Sequence, residues 1–130
     1  LERAQESHRM KKVLVVDDDP MILEFLKALF ERRNFRVIEA ENGEKAIILA
    51  RREKPDLILL DMQMPITSGW VTAHELKKKG MGTSNIPIIA VTSLKSPEEE
   101  AAARKAGCDE FVAKPIDVDT LFHVVDKVLA

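Results

Sequence analysis

Short apolar runs recur along the chain, with segments of helical length between them. The runs lie at 13–16 (VLVV), 35–38 (FRVI), 57–60 (LILL), 86–91 (IPIIAV) and 111–113 (FVA). Their Val and Ile content predicts strands, and 13–16 and 57–60 are apolar throughout, as strands covered on both faces must be. The intervening segments carry a helical period instead. Leu23, Leu26, Leu29 and Phe30 share one face, and Val118, Leu121, Phe122, Val125 and Leu129 share another. The punctuation agrees. Asp19-Pro20 reads as an N-cap with proline at the first helical position, and Asn42-Gly43 opens a second helix. Ser96-Pro97-Glu98-Glu99 forms a capping box, and Gly107 stops that helix. Five strands alternating with five helices predict an α/β fold with a parallel sheet covered on both faces. Residues 1–10 are polar and without period, so they read as a disordered leader, a linker from a longer chain or appended residues. The folded domain is expected at 11–130.

Composition narrows the function classes. With 130 residues, 45% hydrophobic and 32% charged, the chain has the mixture of one ordinary soluble domain. No apolar run approaches the ~20 residues that span a bilayer, and residues 1–10 lack the apolar core of a secretory signal. The single cysteine, Cys108, rules out an intrachain disulfide and a thiolate-rich metal site, and fits a reducing cytoplasm. A net charge of -2 leaves no nucleic-acid footprint. The dense basic run Lys77, Lys78 and Lys79 reads as a solvated helix end.

In an open α/β sheet, ligands bind beyond the carboxyl ends of the strands. Past the first run come Asp17, Asp18 and Asp19, past the third Asp61, past the fourth Thr92 and Ser93, and past the fifth Lys114-Pro115. The second run ends in Glu39-Ala40, as an edge strand far from a site would. Each residue alone has a plain reading: Asp61 as a turn residue, Thr92 as a strand residue, Lys114 as a surface charge. Asp19 suits the cap before Pro20. One cap needs one carboxylate, so Asp17 and Asp18 remain unexplained. Crowded carboxylates suit a hard divalent cation such as Mg²⁺. A carboxylate such as Asp61 beside it has the chemistry of a nucleophile toward a phosphoryl group. A lysine and a hydroxyl then answer the charge on the transferred oxygens.

VVDD at 15–18, DMQMP at 61–65, Thr92-Ser93 and Lys114-Pro115 together resemble the CheY-like receiver domain of two-component response regulators. The resemblance covers about residues 11–130. It implies a single doubly wound, flavodoxin-like five-stranded parallel sheet of order 2-1-3-4-5 with five helices. It makes Asp61 the phosphoacceptor and Asp18 the direct Mg²⁺ ligand, with Asp17 assisting and the backbone carbonyl of Gln63 completing the set. Thr92 would bond the phosphoryl group, Lys114 would pair with it across a cis Lys114–Pro115 peptide, and Phe111 matches the aromatic switch position. The implied partners are a histidine kinase or phosphotransfer protein, and a downstream target or second copy on the face formed by residues 97–129. No direct contact with nucleic acid or membrane is implied. The chemistry would be confined to self-directed phosphoryl transfer and autodephosphorylation in the cytoplasm. Two departures stand out: Thr67 occupies a position that is often apolar in the family, and Phe111 has no hydroxyl.

Two other readings stay open at this stage. A haloacid-dehalogenase-type phosphatase would use Asp17 and Asp19, although Met21 replaces its expected Thr or Val. A receiver-like interaction module would carry no phosphate. Whether the chain is a stand-alone regulator or part of a hybrid protein is equally open. His74 and His123 read as solvated helix residues, Trp70 as packing, Cys108 as inert, and Gly80-x-Gly82 as a loop.

Overall fold

The computed structural model describes residues 10–64, 68–93 and 96–130. Five strands form one parallel sheet: β1 (Lys12–Val16), β2 (Arg36–Ala40), β3 (Leu57–Asp61), β4 (Ile88–Thr92) and β5 (Glu110–Ala113), in the order β2-β1-β3-β4-β5. The order explains the burial. All but the first residue of β1 and every residue of β3 and β4 are buried, whereas β2 and β5 at the edges are only partly covered.

Helices α1 (Pro20–Arg32), α2 (Gly43–Glu53), α3 (Gly69–Leu76), α4 (Pro97–Ala106) and α5 (Val118–Leu129) connect the strands. Alternate strand residues feed two cores. Val13, Val15, Leu57, Leu59, Ile89, Val91 and Val112 pack with Leu23, Leu26 and Phe30 of α1 and Leu121, Phe122 and Val125 of α5. Leu14, Val16, Ile58, Leu60, Ile88 and Ala90 pack on the other face with Ala46 and Ala50 of α2 and Ala73 and Leu76 of α3. The expected helix faces are therefore the buried ones, with Leu29, Val118 and Leu129 at their margins. The caps stand where the sequence places them. Asp19, Asn42 and Ser96 accept from the backbone N–H groups of Met21, Lys45 and Glu99, and Gly107 closes α4 at φ 110°.

Two strands differ from their apolar runs for local reasons. Phe35 belongs to the end of α1: its N–H returns to the carbonyl of Phe30 and its ring meets Phe30 edge-on at 5.2 Å, so β2 starts one residue later. Ile86 closes a turn onto the carbonyl of Thr83, and β4 starts after Pro87. The basic run also needs correction. Lys77 is not a solvated helix end, because its ammonium donates to the carbonyls of Ile86 (2.8 Å) and Ser84 (3.4 Å) and to Asp109 Oδ2 (2.9 Å). Asp109 in turn accepts the N–H of Ile88. Only Lys78 and Lys79 are exposed.

Candidate functional site

The carboxyl ends of β1, β3 and β5 bring three side chains together through pleat parity. Asp17 continues the row Val13–Val15, Asp61 the row Leu57–Leu59, and Lys114 follows Val112, so all three emerge toward the α1 and α5 side. Lys114 Nζ lies 3.1 Å from Asp61 Oδ1 and 3.8 Å from Asp17 Oδ2. Both carboxylates are buried, at 2% and 3% exposure, while Asp18 beside them is exposed. The Lys114–Pro115 peptide is cis, as the resemblance implied.

Hydrogen bonds orient the acids. Asp17 Oδ1 accepts the N–H of Asp19 at 2.9 Å, and Asp61 Oδ1 accepts the N–H of Gln63 at 3.0 Å. Asp19 points away and caps α1, its Oδ1 2.9 Å from the N–H of Met21. A phosphatase using Asp17 and Asp19 would need Asp19 as a free acid in the cleft, and the cap occupies it. Burial pushes the Asp17 carboxyl above its ordinary value, and the charges of Asp61 and Asp18 push the same way. The Asp19 N–H and Lys114 oppose them.

The donor set fits a hard divalent cation. Asp17, Asp18 and Asp61 each offer an oxygen, all within 4.8 Å of one another, and no other such group of His, Cys, Asp or Glu occurs among the described residues. Among the described residues one lysine faces two buried acids with a third beside them, so acid charge there exceeds the facing cation's.

Thr92 and Phe111 lie elsewhere. Thr92 follows Val91, the register partner of Asp61, and so falls on the opposite pleat, on the side of Ala90. It is buried and lines a groove of about 530 Å³ between α4 and β5, together with Phe111 and Arg104. The half-buried Phe111 ring is covered by the Arg104 guanidinium at 4.6 Å. Thr67 lies outside the described residues. His74 and His123 are exposed on their helices, and Trp70 packs at the edge of the core. Cys108 is buried, its thiol pushed up to about 12 mainly by desolvation. Gly80 and Gly82 turn a loop at positive φ.

Gly69 was not singled out by its sequence context. A Cβ there would stand 2.5 Å from the Met62 backbone and 2.6 Å from the Asp61 carbonyl, so only glycine lets α3 start this close to the acid. The spacing M-P-x-x-x-G carried that signal.

The family model for the response regulator receiver domain matches residues 13–126, which include all three acids, Thr92 and Lys114. The chain belongs to the response regulator receiver family. Protein PilH of Pseudomonas aeruginosa is 36% identical over 121 residues, covering 93% of this chain and 99% of PilH. The Vibrio cholerae chemotaxis protein CheY4 superposes with a TM-score of 0.87 at 26% identity, covering 93% of this chain and all of that one. The receiver domain of the Pseudomonas aeruginosa sensor histidine kinase PA1611 superposes at 0.83 with 25% identity, covering 93% and 98%. That structure holds magnesium in its active-site cleft. The receiver fold thus accounts for the strand order, and no helix among the described residues is long and apolar enough to cross a membrane.

Proposed function

We propose that the domain is a phosphorylatable signalling switch whose acceptor is Asp61. The observation that carries this reading is the buried Asp61 carboxylate, held between the Gln63 N–H and the Lys114 ammonium beside two further acids. An Asp61 oxygen attacks the phosphorus of a phosphohistidine on a kinase or phosphotransfer protein. An O–P bond forms, the N–P bond breaks, and the imidazole nitrogen leaves with the electron pair. Lys114 then moves its charge onto a phosphoryl oxygen. Asp17, Asp18, Asp61 and the Gln63 carbonyl would hold Mg²⁺, whose chemistry is to neutralise charge on the transferred oxygens. The magnesium in the PA1611 cleft supports that assignment. The reaction is directed at the domain itself, and hydrolysis of the acyl phosphate resets it.

The donor has to reach the mouth beside α1, where Met21 and Phe25 are 77% and 44% exposed. That apolar surface suits the helix carrying the donor histidine. The output leaves from the other side. Thr92 reaches the phosphoryl group only by turning across the end of β4, and the groove it shares with Phe111 gives the ring room to follow. Among the described side chains of α4 only Ala103 is buried, so this helix is held by a thin apolar contact and its position is cheap to change. A downstream protein or a second copy would read the face formed by residues 97–129. A cytoplasmic location fits these proposed roles.

Incubation with Mg²⁺ and a small phosphodonor is expected to add one base-labile phosphoryl group at Asp61. Label mapping to Asp17 would favour the phosphatase reading, and no label at all the interaction module. Thr92→Ala is expected to keep the label and lose the response of residues 97–129 in amide-exchange mapping.

A further inference from the structure

Gln63 makes contacts in two directions. Its backbone N–H donates to the Asp61 carboxylate at 3.0 Å. Its side chain crosses to the neighbouring loop, where Oε1 accepts from Ser93 Oγ at 2.9 Å and from the Ser93 N–H at 3.5 Å. A backbone N–H only donates, so the amide must present its oxygen to Ser93. Gln63 therefore links the acceptor loop to the residue directly after Thr92.

Pleat parity gives this link a consequence. Asp61 and its register partner Val91 face α1 and α5, while Thr92 faces the α4–β5 groove. For the Thr92 hydroxyl to reach a phosphoryl group on Asp61, the carboxyl end of β4 has to roll, and Ser93 has to roll with it. We propose that the Gln63 side chain is a positioning latch: it ties Ser93 to the acceptor loop and holds Thr92 turned away from Asp61. This rests on the reading of Asp61 as acceptor and adds the restraint that phosphorylation must release. Gln63 is exposed and Ser93 only partly covered, so the restraint is weak enough to be broken by one charge-assisted bond from Thr92. Its strength sets how readily the domain responds.

The test compares the whole chain with Gln63→Ala, Ser93→Ala, the double variant and Gln63→Glu. Without ligand, amide exchange at residues 92 and 93 is expected to accelerate roughly two- to tenfold in the alanine variants, the factor one net hydrogen bond confers. Gln63→Glu keeps an acceptor oxygen and is expected to restore protection. Beryllofluoride with Mg²⁺, a mimic of the phosphoryl group on a carboxylate, is expected to bind each alanine variant roughly two- to tenfold more tightly than the parent. The double variant should bind no more tightly than the better single one, because both remove the same link. Equal ligand-free exchange in parent and Gln63→Ala, or additive effects in the double variant, overturns the latch. A parent chain that fails to bind beryllofluoride overturns the acceptor reading instead, and the ligand-free exchange still decides the latch.

Discussion

At the amino end of the sheet Lys77 meets Asp109 and two backbone carbonyls, and Lys12 donates to the carbonyl of Glu53 while its N–H meets Asp56. At the carboxyl end Lys114 is, among the described residues, the one cation facing Asp17 and Asp61, with Asp18 at the rim. The first set answers each charge with an opposite charge, a carbonyl or a backbone N–H, and ties β4 and β5 to the end of α3. The second concentrates acid charge that the described groups leave unbalanced. Saturated charges belong to the scaffold, and crowded acids are what a hard divalent cation would neutralise on the function proposed above.

Asp61→Asn is expected to abolish labelling by the phosphodonor entirely, and full labelling of that variant at its usual rate would sink the acceptor assignment.

Next comes the amino end, where Lys77→Ala leaves the Ile86 carbonyl and Asp109 without their cation. A loss of about 2 kcal/mol in chemical denaturation is expected, with Asp61 still labelled. A variant as stable as the parent would show that this end is not the scaffold described.

A smaller effect of opposite sign is expected from Asp17→Asn without metal. The folded protein holds the Asp17 proton more tightly than the unfolded chain does, so this group costs stability as pH rises from the ordinary 3.8 through its raised folded value. Asparagine keeps the oxygen that accepts the Asp19 N–H and removes the charge. The melting temperature at neutral pH should rise by a few degrees, the gain should vanish below the ordinary value, and stabilisation by added Mg²⁺ should fall sharply. A lower melting temperature at neutral pH would contradict the surplus-charge account.

The least effect belongs to Lys78→Ala, next to Lys77 but paired, among the described residues, with Glu75 at the surface. No measurable change in melting temperature is expected. A loss comparable to that of Lys77→Ala would erase the distinction between the two lysines.

The alternation of strands and helices, the three caps and the carboxyl-end location of the acids were legible from residue order. They depend on interactions within a few residues: apolar runs, capping side chains and the rule that a parallel sheet opens its ligand edge at its strand ends. The cis peptide and the division of labour among Asp17, Asp18, Asp61 and Lys114 came with the family resemblance, not with spacing. The chain by itself therefore determined the layered α/β architecture and the chemistry on offer. Only the tertiary structure decided that Lys77 is a clasp while Lys78 is not, since its partners lie 7, 9 and 32 residues away. It also decided that Thr92 faces away from Asp61, that Gln63 reaches Ser93, and that Gly69 is compelled by the backbone of Met62. These are consequences of strand register and close packing between distant segments, and a residue's contacts across a sheet are set by its neighbours' positions as much as by its own identity.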